Sequence, residues 1–337
     1  MRLSDFNYTL PQELIAQEPL EPRDAARLLV LDRTGARVAH HHVRELPELL
    51  RPGDLLVANR SRVLPARVRG RLRGGGTAEL LLLRCLSAGK WQALARPARR
   101  LRPGDIVAVS ETLRVQVTAA FAEGLREIEV NQESGGDADA ALLAAGSTPL
   151  PPYIRGWHGD PERYQTIFAD TDGSAAAPTA GLHFTKNLLR RLADAGIGFG
   201  TLVLHVGLDT FRPVTEANAA SHQMHHEWYT VPPELQAQIA QTRAAGGRIV
   251  AVGTTSVRAL ESWVATGNCE GWTDLFILPG HRFTVVDALI TNFHLPRSTL
   301  LMLVSALAGR ERVLAAYAEA IRERYRFYSF GDAMLVL

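Results

Sequence analysis

Hydrophobic positions along the chain follow two different patterns that meet near residue 60. Up to that point, the runs RLLVLDR and LLVAN predict strands, separated by the helix-like ELPELL and the turn RPGD. From ARVRGRLR through LREIEV, short strand-like runs recur between Gly or Pro turns and show little helical period. This second pattern predicts a small β-barrel over about residues 61–131.

After LPPYI, apolar runs of helical period alternate with short strand-like runs. The segments in order are helix KNLLRRLADAG, strand TLVLHVGL, helix PELQAQIAQTRAAGG, strand RIVAV, helix SVRALESW, strands DLFIL and VVDALITNF, helices STLLMLVSALAG and RERVLAAYAEAIRERY, and strand GDAMLVL. Such alternation is typical of a sheet covered by helices. We therefore predict an α/β protein: a discontinuous layered-sheet domain, residues 1–60 and 149–337, with an inserted small β-barrel domain, residues 61–148.

Composition is ordinary for a globular protein and leaves room for two cores. The chain has 337 residues, of which 46% are hydrophobic and 21% charged. Cys85 and Cys269 lie far apart without CxxC spacing, which argues against a disulfide framework or a zinc ribbon. The N-terminus does not resemble a signal peptide, and the longest apolar run is too short to span a bilayer. We expect a cytoplasmic protein, and nothing in the sequence demands a dimer, so we expect a monomer.

The formal net charge of +2 hides an asymmetry. Residues 60–102 hold twelve Arg or Lys against the single acid Glu79, so this segment is +11 and the rest of the chain is −9. Basic surfaces of this density usually meet polyanions. The alternative is a general compositional preference, because almost all basic residues of the chain are Arg. We favour a nucleic-acid face, and the most plausible phosphate contacts are Arg62, Arg67, Arg69, Arg99 and Arg100.

Two stretches combine sharp turns with small polar side chains. In AAAPTAGLHFT, Pro178 and Gly181 break any regular period while Thr179 offers a hydroxyl. In GGRIVAVGTTSVRALES, a buried strand runs through Gly253 directly into a helix. The free amides of that helix start suit a carboxylate or phosphate, and open α/β sheets place ligands there. A helix cap without any ligand is equally compatible with these residues.

Histidines supply candidates for proton transfer. Strand alternation places His205 away from Leu202, Leu204 and Val206, and places Asn292 with His294 on one face. A lone histidine is more often structural, but several near strand ends favour catalysis modestly. The groups His222, His225 and His226, and His40 to His42, lack the spacing of known metal sites. We expect no metal.

Dinucleotide, P-loop and serine-hydrolase signatures are absent: there is no GxGxxG after a strand, no GxxxxGK[ST] and no GxSxG. The chain nevertheless resembles one family nearly end to end, the S-adenosylmethionine:tRNA ribosyltransferase-isomerases of queuosine biosynthesis. The blocks that carry the resemblance are DFNYTLPQELIAQEPLEPRDAARLLVLDR, RPGDLLVAN, LPPYI, PERYQTIF, AAAPTAGLHFT, HVGLDTFRPV, AVGTTSVRALES, VDALITNFHLPRSTLLMLVSALAG and RYRFYSFGDAM. Together they are highly specific.

The resemblance implies a substrate, a partner and a reaction. The ribosyl group of S-adenosylmethionine is moved onto the aminomethyl group of a 7-deazaguanine at the wobble position of tRNA and rearranged, giving epoxyqueuosine-tRNA, adenine and methionine. It also implies an α/β domain with an inserted β-barrel. S-adenosylmethionine is then a consumed co-substrate, and we expect no other cofactor.

With this chemistry, the candidate residues take expected roles. Proton transfers are assigned to His183, His205 and His294. The methionine carboxylate or a tRNA phosphate is assigned to Thr254, Thr255, Ser256 and Arg258. The nucleoside is positioned by Thr179, Gly181 and Asn292. The aromatic residues Phe184, Phe211 and Phe293 are more readily explained by core packing than by cation–π contact with the sulfonium.

Two positions depart from the family pattern. Arg60 stands where the family usually has Asn or Asp, and Asp209 where it often has Gly. Arg60 extends the basic face, and we assign it no catalytic role; Asp209 is best explained as a solvated carboxylate. Two other functions remain open: a non-catalytic RNA-binding protein on the same fold, which intact polar motifs argue against, and an unrelated methyltransferase, which would release S-adenosylhomocysteine.

Overall fold

A computed structural model of the chain divides it into two compact units. It describes residues 1–35, 38–207, 218, 222, 224 and 226–337. The larger unit comprises Met1–Arg62, Pro152–Thr171 and Ala177–Leu337, and the smaller comprises Val63–Pro151 and Asp172–Ala176. The division drawn from the sequence falls within three residues of the main limits. The sequence pattern does not separate residues 172–176 from their neighbours.

The described residues form the following regular elements. The strands β1 to β17 are, in order, Arg27–Leu31, Val38–His42, Leu55–Asn59, Ser61–Val63, Arg67–Leu72, Thr77–Ser87, Lys90–Arg96, Ile106–Ala108, Leu113–Ala120, Leu125–Gln132, Thr171–Ser174, Gly198–Leu204, Glu227–Thr230, Ile249–Val252, Glu270–Thr273, Ala288–Asn292 and Ala333–Val336. The helices α1 to α7 are Leu46–Leu49, Ala138–Ala144, Lys186–Asp194, Pro233–Ala244, Thr254–Thr266, Thr299–Ala308 and Arg310–Arg322. None of these helices is long and apolar enough to span a membrane.

The larger unit is built on one mixed sheet of nine strands, in the order β15, β13, β12, β3, β14, β16, β17, β1, β2. Strands β12, β3, β14 and β16 run parallel to one another, and β16 pairs with β17 in the antiparallel sense. Every residue of β3, β14, β16 and β17 is buried, as expected for strands covered on both faces. The predicted α/β class is confirmed.

Element predictions fail mainly at one edge of this sheet. The run DLFIL was predicted as a strand, but residues 274–278 have no regular structure and the strand lies just before them, in β15. The sequence pattern also misses β13. Strands β13 and β15 have only four residues each and pair antiparallel with each other, so each offers too few alternating positions for a period to be seen.

Strand register brings four chain segments to the same edge of the sheet. Val252 of β14 aligns with Ala58 of β3 and with Ile290 of β16, and Leu202 of β12 aligns with Asn59. Because parallel strands end at a common edge, the residues that follow them are neighbours. The candidate functional segments lie at this carboxyl edge.

The smaller unit contains a closed barrel of six strands in the order β10, β7, β6, β5, β8, β9. Burial alternates along β7, β9 and β10, with every second side chain inside, as the period of a strand requires. The interior includes Val68, Leu80, Trp91, Val115 and Ile128. The predicted inserted barrel is confirmed, and α2 adds Leu142 to its core.

Two turns of identical sequence, RPGD, occur in different surroundings. In both, an aspartate accepts a hydrogen bond from the backbone of the arginine three residues earlier, at 2.9 Å for Asp54 and 2.6 Å for Asp105. Asp54 is 2% exposed and also accepts from Arg248 at 2.6 and 3.1 Å. Burial by itself raises the pKa of Asp54, but the bonds from Arg248 and Arg51 outweigh it and leave the pKa below its ordinary value.

We expect Asp54→Asn to lower the free energy of unfolding by about 1.5–3 kcal/mol, because it removes a charged hydrogen-bond partner from a buried site. Asp105→Asn is the matched control, since it changes the same turn where no arginine side chain binds the carboxylate among the described residues. We expect its effect to stay below about 0.5 kcal/mol. Urea unfolding of both variants measures the difference, and equal losses would contradict this account.

Candidate active site

A solvent-open cleft lies at the carboxyl edge of the parallel strands, where open α/β sheets place their ligands. Its walls come from segments that follow β12, β14 and β16 and from the ends of two loops. The lining residues are Tyr153, Ala177, Pro178, Thr179, Ala180, Val206, Gly253, Thr254, Thr255, Thr291, Asn292, Phe293, His294, Leu295, Ser298, Leu300, Tyr328 and Ser329. Five of the predicted site residues are thus brought together: Thr179, Thr254, Thr255, Asn292 and His294.

The junction between β14 and α5 forms one wall. Gly253 has φ 88°, a conformation that favours glycine, and α5 begins at the next residue. Thr254 and Thr255 therefore line the cleft at the helix start, where backbone amides have no intrahelical acceptor. The Thr255 hydroxyl oxygen is buried and has no hydrogen-bond partner in the described part of the chain. An anionic or hydroxyl-bearing ligand would supply the missing partner.

The stretch AAAPTAGLHFT forms the facing wall. Pro178 precedes a 3₁₀ turn, Thr179–His183. The Thr179 hydroxyl donates to Asn292 Oδ1 at 2.8 Å, and Asn292 Nδ2 donates to the carbonyl of Tyr328 at 3.1 Å. Asn292 is 3% exposed. The two bonds fix the oxygen and the nitrogen of its side-chain amide and join three separate segments of the cleft wall.

Among the described residues, hydrogen bonds engage one ring nitrogen of His294. Its Nε2 shares a hydrogen bond of 2.8 Å with the Thr291 hydroxyl, and no hydrogen bond from the described residues reaches Nδ1. Burial lowers the pKa of His294 to about 3. The ring is therefore neutral at physiological pH, and Nδ1 can accept or donate one hydrogen bond to a ligand, according to the tautomer that Thr291 selects.

Two phenols hold the backbone of His294. The Tyr8 hydroxyl donates to the His294 carbonyl oxygen, and the His294 amide donates to the Tyr317 hydroxyl at 2.9 Å. The rings of Tyr8 and Tyr317 meet edge to face at 5.1 Å. His294 is consequently fixed in place by the N-terminal segment and by α7, neither of which the sequence pattern connects with the site.

The other two predicted catalytic histidines lie outside the cleft walls. His205 follows β12, shares a hydrogen bond of 2.8 Å with the Ser61 hydroxyl through Nδ1, and stacks on Trp228 at 5.6 Å. His183 is 4% exposed, and its two nitrogens face the carbonyl oxygens of Ala180 at 3.1 Å and Gly331 at 2.9 Å. Burial lowers the pKa of His183 more than these carbonyls raise it.

The lining of the cleft does not include three other residues predicted to bind substrate, Gly181, Ser256 and Arg258. A Cβ on Gly181 would come within 2.9 Å of Phe168 and Thr166, so this glycine permits close packing. The Ser256 hydroxyl donates to the Val252 carbonyl at 2.8 Å inside α5. Arg258 is 5% exposed.

Arg258 is held by protein partners. It forms a buried ion pair with Glu227, and its Nε donates to the Leu275 carbonyl at 3.0 Å. Glu227 in turn accepts from the Gly207 amide at 2.9 Å. Arg258 therefore joins α5 to the segment that follows β12, and it is not placed to receive a carboxylate in the cleft.

The remaining sequence candidates divide as follows. Phe184 and Phe293 are fully buried and pack against other aromatic rings, in agreement with a core role. Phe211, Asp209 and His225 lie outside the described residues. Arg60 pairs with Asp170 at 3.3 Å. In the described ranges, no group of three or more His, Cys, Asp or Glu side chains could hold a metal ion.

Arginines predicted to contact RNA differ in their availability. Arg62 belongs to the larger unit and pairs with Glu162. In the barrel, Glu79 lies 3.3 Å from Arg69 and 4.0 Å from Arg67. The side chain of Arg69 is nevertheless 71% exposed.

A 3₁₀ turn, Ala98–Arg100, carries the other two predicted contacts. Arg99 and Arg100 are both exposed, and neither forms an ion pair with a described residue. In the register of the barrel strands, Glu79 stands between Arg69 on β5 and Arg96 on β7. On this part of the barrel, one acidic residue therefore lies between two arginines.

Sequence reasoning misses the aromatic part of the cleft. Tyr153 and Tyr328 line it, with ring centroids 4.8 Å apart, and the Tyr153 hydroxyl shares a hydrogen bond of 2.7 Å with Ser329. Both tyrosines lie in blocks that carry the family resemblance, LPPYI and RYRFYSFGDAM. Their place in these blocks is the one feature of the sequence that indicates a functional role. Neither block has a period that predicts which side chains face a ligand.

Comparison with known proteins identifies the family. The model of the queuosine biosynthesis protein family matches residues 3–336. This chain belongs to that family. Relatives named S-adenosylmethionine:tRNA ribosyltransferase-isomerase are 53% identical in Symbiobacterium thermophilum and 52% identical in Moorella thermoacetica, each over 100% of both chains.

A solved structure gives the same result for the queuosine biosynthesis family. The crystal structure of S-adenosylmethionine tRNA ribosyltransferase from Thermotoga maritima is 41% identical to this chain. The match covers 99% of this chain and 100% of that one, with a TM-score of 0.57. The family predicted from the sequence blocks is confirmed.

The neutral state of His294 predicts a pH effect on stability. An unfolded histidine has a pKa of about 6.5, so between that value and about 3 the unfolded chain binds a proton that the folded ring does not. Stability from this group is complete above pH 6.5 and falls by about 1.4 kcal/mol per pH unit below it. We expect His294→Gln to reduce the slope of unfolding free energy against pH, measured by urea unfolding between pH 4.5 and 6.

His158→Gln is the control for this measurement, because His158 is an exposed histidine outside the cleft. Its slope should match that of the parent chain. An unchanged slope in His294→Gln would mean that the buried ring takes up protons as readily as a free one, and would contradict the account of a neutral His294.

Proposed function

We propose that this chain transfers and isomerises the ribosyl group of S-adenosylmethionine onto the aminomethyl group of 7-aminomethyl-7-deazaguanine at the wobble position of tRNA. The products are epoxyqueuosine-tRNA, adenine and methionine. The observation that carries the proposal is a cleft with fixed polar groups at the carboxyl edge of the sheet, in a chain about 50% identical over its full length to proteins of that name. The proposal requires no metal ion and no further cofactor.

The described lining of the cleft carries no positive side chain that would repel a cationic substrate. It contains no Asp, Glu, Lys or Arg side chain among the described residues. The sulfonium acidifies the neighbouring ribose carbon, so the reaction needs a group that can take or relay a proton, and adenine leaves more readily when a nitrogen is protonated. A cationic imidazole beside a sulfonium would be repelled, whereas the neutral His294 ring is not.

The positions of the three histidines support different roles. His294 lines the cleft, and no described residue forms a hydrogen bond with its Nδ1, so we assign it the hydrogen bond to the reacting nucleoside. His205 adjoins Val206 of the cleft wall and is oriented by Ser61. His183 lies outside the walls, and its proposed proton transfer has the least geometric support.

The start of α5 supports an anion site. Thr254 and Thr255 line the cleft there, and the Thr255 hydroxyl has no hydrogen-bond partner among the described residues. We assign this end to the methionine carboxylate, since free amides and the helix dipole favour a negative group. Thr179 and Asn292, fixed to each other, are assigned to the ribose hydroxyls.

The barrel supplies the proposed contacts to tRNA. Exposed arginines without acidic partners bind phosphates without reading base sequence. Arg99 and Arg100 meet this description best, and Arg69 remains largely exposed beside Glu79. To bind a phosphate, Arg62 would have to break its ion pair with Glu162, and Arg67 would have to leave or share its contact with Glu79.

The reaction is tested by incubating the full chain with S-adenosylmethionine and tRNA that carries the aminomethyl base. We expect adenine and methionine in equal amounts with the modified tRNA. His294→Ala should lower kcat by about 100-fold or more, because it removes a positioned hydrogen-bonding ring from the reacting nucleoside. The control His158→Ala changes an exposed histidine and should keep the parent rate.

The products separate the competing functions. Release of S-adenosylhomocysteine would indicate methyl transfer. Binding of tRNA with S-adenosylmethionine left unconsumed would indicate a non-catalytic RNA-binding protein. Either result would reject the proposed reaction.

The tRNA surface is tested with the double variant Arg99→Ala and Arg100→Ala. We expect KM for tRNA to rise and its logarithmic dependence on salt to become shallower by about 1–2, since each lost phosphate contact removes roughly 0.7–0.9. KM for S-adenosylmethionine should not change. Arg114→Ala is the control, because this barrel arginine already pairs with Glu133 at 3.0 Å. Equal salt slopes in the parent and the double variant would refute the assignment.

A further inference from the structure

Among the described residues, the lining of the cleft includes no anionic side chain that could balance a bound cation. Its polar groups are hydroxyls, the Asn292 amide and the neutral His294 ring, among the described residues. A sulfonium leaving water for such a cleft loses hydration without gaining an ion pair. The faces of aromatic rings are electron-rich and attract a cation without an ion pair.

Tyr153 and Tyr328 supply two such rings. Both line the cleft, and their rings lie 4.8 Å apart with an angle of 53° between the planes. Phe293, the other aromatic residue of the lining, is fully buried and packs against Phe327 at 4.9 Å. Tyr153 is partly exposed and Tyr328 is 6% exposed, so the tyrosine pair offers the cleft more aromatic surface than Phe293 does.

The backbone of Tyr328 is held in an unusual conformation. Its φ of 70° lies in the left-handed region, which costs free energy for a residue with a bulky side chain. The amide of Tyr328 donates to the Phe293 carbonyl at 3.2 Å, and its carbonyl accepts from Asn292 at 3.1 Å. The same asparagine that binds Thr179 thus fixes Tyr328 at the cleft, and strain of this kind is concentrated at functional positions.

Both phenols stay uncharged. Burial raises the pKa of Tyr153 to about 12 despite the opposing hydrogen bond with Ser329. Burial also raises the pKa of Tyr328. Attraction to a cation at neutral pH would therefore come from the ring faces and not from a phenolate.

We propose that Tyr153 and Tyr328 form the sulfonium site of the cleft and give it preference for the cationic cosubstrate over its neutral thioether analogue. This inference rests on the proposed function, since it takes S-adenosylmethionine as the ligand. S-adenosylhomocysteine shares the adenosine and amino-acid groups but lacks the methyl group and the positive charge. The ratio of the two dissociation constants therefore isolates the contribution of the charge and the methyl group.

The test measures dissociation constants of S-adenosylmethionine and S-adenosylhomocysteine by calorimetry with the full chain and no tRNA. We expect Tyr153→Leu and Tyr328→Leu each to reduce the preference for S-adenosylmethionine by about 2- to 30-fold, the range of cation–π interactions. Tyr153→Phe and Tyr328→Phe keep the ring face and should keep the preference. Leu300→Ala, an aliphatic change in the same lining, should weaken both ligands by a similar factor.

Two results would overturn the proposal: an unchanged preference in the leucine variants, or an equal loss in the phenylalanine variants, which would assign the effect to the hydroxyls. If Tyr328→Leu does not fold, Tyr153→Leu and the two phenylalanine variants decide the question. Failure of the proposed function is distinguishable, because the parent chain would then release no adenine from S-adenosylmethionine when the modified tRNA substrate is present. Failure of the sulfonium site alone leaves adenine release intact.

Discussion

Four parallel strands that end at one edge of a sheet are the constraint on which the site depends. The chain segments after β12, β14 and β16 carry Val206, Gly253 and His294, which are distant in sequence and share one cleft. Because every residue of β3, β14 and β16 is buried, the ends of these strands cannot shift without disturbing the core. The buried strands therefore hold the walls of the cleft in fixed positions.

Hydrogen bonds among buried polar groups fix the positions of the residues that line the cleft. Asn292 connects Thr179 to Tyr328, while Tyr8 and Tyr317 hold the two backbone groups of His294. Each bond joins segments far apart along the chain, so the loss of one would loosen two walls of the cleft together. A site built in this way orients its ligand with little rearrangement, which is the condition for strong electrostatic effects in catalysis.

Sequence patterns predicted the fold well because burial imposes a period, but they located the site only in part. At the start of α5, Thr254 and Thr255 face the cleft, whereas Ser256 bonds back to Val252 as the helix turns. Arg258 was predicted to bind an anion, and its actual partner, Glu227, comes from a strand that the pattern missed. Such pairings depend on tertiary contacts that no local period encodes.

Charge is divided between the two units in a way that fits two different ligands. The cleft of the larger unit is lined by neutral groups in the described residues, and burial keeps His294 uncharged. A small cation can enter it without repulsion, and its positive charge would further disfavour protonation of that ring. The barrel instead exposes Arg69, Arg99 and Arg100, which suit a polyanion in water, where phosphate contacts are long-ranged and sensitive to salt. On the proposed function, the described lining receives the sulfonium without a competing cation, and the exposed arginines of the barrel bind the RNA.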